Sequence, residues 1–137
     1  MPYKYLENVA IADVCFEAKA KTVEELFEEC ALATSEVMVN TKTVKQNIKK
    51  TIQLKSDSID NLLFDFLSEI VFMKDTDSLL FSKFDVKIKK ISLEATLEGD
   101  KISKEQELRN DVKAVTLHMF EVKKEEGEWF ARVVLDI

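Results

Sequence analysis

Phe81-Ser-Lys-Phe-Asp-Val-Lys-Ile-Lys-Lys-Ile-Ser-Leu-Glu-Ala-Thr-Leu97 carries the alternation that decides the fold class. Phe84, Val86 and Ile88 alternate with Asp85, Lys87 and Lys89; Ile91, Leu93, Ala95 and Leu97 then alternate with Ser92, Glu94, Thr96 and Glu98. A period of two places one set on a buried face and the other in water, so the stretch predicts two consecutive strands. They end at Gly99-Asp100. Downstream, Lys124-Glu-Glu-Gly127 has the composition of a hairpin turn between an apolar run over 112–122 and a final strand over 129–137. Connections this short join antiparallel neighbours.

Upstream the period changes. Thr22-Val-Glu-Glu25 has capping-box spacing, and Glu24, Glu25, Glu28 and Glu29 suit the positive end of a helix dipole. Leu26, Phe27, Cys30, Ala33, Val37 and Met38 follow at helical spacing, predicting a helix over 23–39 with Asn40 as its C-cap. Leu62, Leu63, Phe66, Leu67, Ile70, Val71 and Met73 form a wide apolar stripe, predicting a second helix over 58–73 with Asp60 as N-cap and a turn at Asp75-Thr-Asp77. Residues 6–18 read as a strand covered on both faces, with Asp13 interrupting it. Residues 44–54 read as a strand with one solvated side, where Lys42, Lys45, Lys49, Lys50 and Lys55 guard an edge. No aromatic residue interleaves with these lysines to stack bases. Residues 101–111 are polar and read as a loop. The order β-α-β-α-β-β-β-β specifies an α+β fold, two helices packed on a mixed, largely antiparallel sheet, in one domain over 1–137.

Composition narrows the function classes. The chain has 137 residues, 46% hydrophobic and 34% charged, with a formal net charge of -6. That balance disfavours a dedicated nucleic-acid binder, which needs cations to displace counterions from phosphates. Two glycines leave no Gly-rich phosphate loop. No apolar run has the length of a membrane span and the N-terminus lacks a signal h-region, so the expectation is a cytoplasmic protein. Cys15 and Cys30 match no redox or zinc spacing and read as buried thiols.

Catalytic residue types are sparse. His118 is the one histidine, and no Ser-His-Asp or Cys-His arrangement exists. Lys113 and His118 lie in one apolar run, five apart, on opposite faces of a regular strand. Their ordinary readings are a snorkelling lysine and a core histidine bonded to a backbone carbonyl. Asp13 and Asp136 stand out because each interrupts an apolar strand, which is costly unless the carboxylate reaches water, a partner or a cation. Ile137 follows Asp136, and its α-carboxylate is held where the last strand stops. If the first and last strands are neighbours, Asp13, Asp136 and Ile137 converge as a hard-cation site for calcium, magnesium or manganese.

Three groups of residues carry a family likeness. One is Asp111-Val-Lys-Ala-Val-Thr-Leu-His-Met119 with Ala131-Arg-Val-Val-Leu-Asp-Ile137. The second is Ala12-Asp13 with Thr22-Val-Glu-Glu-Leu-Phe-Glu-Glu-Cys-Ala-Leu-Ala33 and Glu36-Val-Met38. The third is Leu62-Leu-Phe-Asp-Phe-Leu-Ser-Glu-Ile70 with Phe81-Ser-Lys-Phe-Asp-Val-Lys-Ile88. In order, over essentially the whole chain, these resemble archease. The resemblance implies a small acidic α+β protein that is not itself an enzyme. Such a protein assists a tRNA-splicing RNA ligase by promoting metal-dependent guanylylation of the ligase and its repeated turnover. It also implies, as an alternative partner, a tRNA cytosine methyltransferase served in a chaperone-like way. By the same resemblance Asp13 and Asp136 are metal ligands, Ile137 adds its carboxylate, the ion is divalent with calcium the first choice, and Lys113 and His118 are functional. One departure stands out. Many archeases read Glu-His-Thr-Ala-Asp before the metal aspartate, whereas this chain reads Glu7-Asn-Val-Ala-Ile-Ala-Asp13.

Overall fold

A computed structural model describes residues 3–6 and 13–137. Seven strands and two α-helices follow in the order β1 (Tyr3–Leu6), β2 (Asp13–Ala20), α1 (Val23–Met38), a short 3-10 turn (Thr41–Thr43), β3 (Ile48–Lys55), α2 (Ile59–Asp77), β4 (Leu79–Lys89), β5 (Ser92–Lys101), β6 (Ala114–Glu125) and β7 (Glu128–Asp136). The class is α+β, as the alternation requires. The single mixed sheet gives way to two sheets, each antiparallel throughout: β1-β2-β7-β6 and β3-β5-β4. Each helix packs against strands of both sheets, α1 on β2, β7 and β4, and α2 on β6, β4 and β3. The core between them is one continuous cluster including Phe16, Phe27, Phe66, Phe81, Leu97 and Leu135, with Phe27 stacked on Phe66 at 5.9 Å between ring centroids.

Local chemistry explains most element ends. Thr22 accepts from the Glu25 N–H and starts α1, as the capping box requires. Helix α1 ends at Val39, and Asn40 instead caps the 3-10 turn by accepting from the Lys42 N–H. Ser58, not Asp60, caps α2 by accepting from the Asn61 N–H. The expected turn at 75–77 is the last turn of that helix, which closes on Ser78 in the left-handed region at φ 55°. Lys90, at φ 58°, makes the two-residue turn between β4 and β5. Lys49, Lys50 and Lys55 are exposed on β3, an edge strand, as expected of lysines that discourage edge-to-edge pairing. Cys15 and Cys30 are buried and unbridged. Among the described residues no helix is long and apolar enough to cross a membrane. The part of the expected first strand over residues 7–12 lies outside the described residues. Asp13 is the first described residue of β2.

Candidate functional site

Strand pairing brings the two singled-out carboxylates together. β2 and β7 pair antiparallel with Asp13 opposite Asp136, Cys15 opposite Val134 and Glu17 opposite Arg132. Opposed residues share a face, so these six side chains lie on the face of the sheet away from the helices. The alternate set, Phe16, Ala18, Ala131, Val133 and Leu135, fills the core. On its other side Asp136 is opposite Ala114 of β6, a small residue that leaves room around the carboxylate. Asp13 and Asp136 are both half-buried. Among the described residues neither has a cationic side chain within ion-pairing distance. Two like charges directly opposed across a ladder are repulsive, so this pairing is unfavourable by itself.

The donor set fits a hard cation. Both groups are carboxylates, the ligand class of calcium, magnesium and manganese. Cys15, between them and Arg132, is buried; burial pushes its thiol up, and Arg132 only partly offsets that. Ile137 packs its side chain against the core next to Asp136. No cluster of three or more His, Cys, Asp or Glu side chains of metal-binding kind occurs among the described residues.

His118 does not take its ordinary reading as a core histidine, whereas an exposed Lys113 is compatible with a lysine that reaches water. Both are exposed, and His118 is neither in the core nor on a regular strand. The β6–β7 register runs from Thr116 opposite Val134 to Glu121 opposite Arg132, so residues 117–120 stand against Val133 alone. This wide bulge throws Leu117, His118 and Met119 outward, with Leu117 69% and Met119 42% exposed. Met119 sits in the left-handed region at φ 56°, a sparsely populated conformation for a non-glycine residue. Lys113 donates its backbone N–H to the Asp136 carbonyl at 2.7 Å, which locks the start of β6 beside the carboxylate pair.

A buried lysine anchors the same segment. Lys74, near the end of α2, donates to Asp111 and, at 2.8 Å, to the Val112 carbonyl, and also pairs with Asp75. Burial pulls its pKa down, but the hydrogen bonds and charges of Asp111 and Asp75 outweigh that and hold it above the ordinary lysine value. Sequence reading missed Lys74, which hides in an otherwise charged helix end. It also missed Arg132 and Glu17. Parity was the available signal: Arg132 has the parity of Asp136 along β7, and Glu17 that of Asp13 along β2. The bulge had none, since no glycine or proline marks it.

Comparison with known proteins agrees with this architecture. The family model described as the Archease protein family (MTH1598/TM1083) matches residues 3–137. A protein archease of Methanothermobacter thermautotrophicus is 42% identical over 130 residues, covering 92% of this chain and 93% of the relative. One from Methanosarcina mazei is 37% identical over 141 residues, covering 98% and 95%. The solution structure of Methanobacterium thermoautotrophicum protein 1598 superposes with a TM-score of 0.87 at 38% identity, covering 99% of both chains. The crystal structure of a Thermotoga maritima archease, described as a possible chaperone, shares the fold with a TM-score of 0.68 at 17% identity, covering 98% and 100%.

Proposed function

This chain belongs to the archease family, and from that premise we propose that it is an accessory protein of a tRNA-splicing RNA ligase, promoting the ligase's metal-dependent guanylylation and repeated turnover. The observation that carries this reading is the in-register opposition of Asp13 and Asp136, both half-buried, on the face of the β1-β2-β7-β6 sheet away from the helices. A divalent ion bound there would supply neutralisation of phosphate charge for nucleotidyl transfer. The chain's own part is to hold two carboxylates at fixed spacing on rigid strands, with a main-chain oxygen of Ile137 next in line. Two carboxylates offer fewer oxygens than the roughly six to eight that calcium takes. The remaining positions are therefore open to water and to groups of the ligase, which suits a site that shares a cation and does not sequester it. Exposed Lys113, tied by its backbone to Asp136, and exposed His118, on the bulge further along β6, are the side chains assigned to the partner. The net charge of -6 favours approach to a basic cleft.

The test is ligase guanylylation and multiple-turnover ligation at limiting divalent metal, with wild type, Asp13→Asn and Asp136→Asn. Either substitution is expected to abolish stimulation while circular dichroism stays native. Full stimulation by both folded variants overturns the reading, as does co-purification of a tRNA methyltransferase in place of the ligase.

A further inference from the structure

The bulge at residues 117–120 needs an anchor. Four residues stand opposite one, Met119 is held at φ 56°, and Leu117, His118 and Met119 are exposed, so no burial of their own fixes them. Two contacts do. Phe120 sets its ring edge-on against Phe64 of α2 at 5.8 Å, pinning the trailing end. The crest is pinned by Arg132, whose Nε donates to the Met119 carbonyl at 3.0 Å. Arg132 is itself oriented from both sides, Nη1 lying 3.7 Å from Glu17 and Nη2 3.6 Å from Glu121. Its planar fork serves three directions at once, which a lysine cannot reproduce.

We propose that Arg132 is a positioning residue that holds the His118-bearing bulge in the shape presented to the partner. The proposal rests on the reading of the previous subsection and deepens it. Arg132 shares the face of β7 with Asp136, so one strand carries both a carboxylate of the pair and the bulge anchor. Removing the guanidinium breaks a charge-assisted hydrogen bond to a strained carbonyl and frees the crest, while Asp13 and Asp136 keep their register. Partner binding then carries the cost of re-ordering the bulge.

His118 is the one histidine, so its imidazole gives a single NMR reporter on the bulge. The experiment compares the full chain with Arg132→Gln, Arg132→Lys and Glu17→Gln. Expected for Arg132→Gln are displaced His118 imidazole and Met119 amide resonances and faster hydrogen exchange confined to residues 117–120. The same variant should need about tenfold more protein for half-maximal ligase stimulation, with an unchanged plateau. Arg132→Lys should recover part of both effects. Glu17→Gln, which spares the bond to Met119, should leave the bulge resonances in place. Unchanged bulge resonances in Arg132→Gln, or an unchanged half-maximal concentration where the wild type stimulates, overturns the proposal. A wild type that does not stimulate the ligase defeats the functional reading on its own, and the resonance comparison still decides whether Arg132 holds the bulge.

Discussion

Asp13 and Asp136 occupy opposing positions across the β2–β7 ladder, one at the first described residue of β2 and the other at the last residue of β7. The backbone carbonyl of Asp136 is engaged by Lys113, so the ladder around the pair is closed while both side chains stay half-exposed. Repulsion between two carboxylates held this way is relieved by a cation or by removal of one charge.

That relationship predicts a cation-linked stability. Calcium at about a hundred times its dissociation constant is expected to stabilise the wild type by about 2.7 kcal/mol. Asp13→Asn and Asp136→Asn should each lose that gain, and each should equal or exceed the wild type when chelator is present. Calorimetric melting with and without calcium checks this, and an equal rise in Tm for wild type and both variants refutes the site.

Acid stability is expected to depend on Glu36. Burial raises its pKa, but hydrogen bonds from Thr41 and the Arg109 guanidinium outweigh that, leaving it below the ordinary carboxylate value. A depressed folded-state pKa contributes stability that is present above the unfolded value and lost as pH falls through the folded one. Glu36→Gln should therefore destabilise the protein near neutral pH by about 1–2 kcal/mol, with the difference shrinking below about pH 4. Urea denaturation across pH reads this directly, and a constant difference down to pH 2 contradicts it.

Gly99 is expected to tolerate no side chain. A Cβ there would collide with the Leu80 carbonyl oxygen and lie 2.7 Å from the Phe81 Cα, at the point where the β4–β5 register shifts between Phe81 and Lys83. Both neighbours are backbone, so neither can turn aside. Gly99→Ala should cost at least about 3 kcal/mol, measured as a lower urea midpoint. Gly127, at φ 80° in open space, should lose less on the same change, through backbone strain alone.

Periodicity and capping chemistry, both local, were legible in the chain. The alternation over 81–97 marked β4 and β5, the capping box marked the start of α1, and the Glu-Gly turn marked the last hairpin. Asp13 and Asp136 announced themselves because a carboxylate is conspicuous in an apolar strand. The continuation of α2 through Asp75-Thr-Asp77 was not legible, because turn-forming residues there are overridden by Ser78 closing the helix in the left-handed region and by Lys74 bonding to Asp111 and Val112 across the fold.

Sequence alone determined the two helices and the strands other than β1, the antiparallel habit of the C-terminal strands, and the chemical type of the candidate ligands, since each depends on residues a few positions apart. Tertiary structure alone decided that there are two sheets, that β2 lies beside β7 in the register that sets Asp13 against Asp136, and that residues 117–120 leave the ladder and expose His118. These outcomes are set by partners elsewhere in the chain: the helices that each sheet covers, the strand that claims an edge, and one guanidinium that reaches from β7 to a carbonyl of β6.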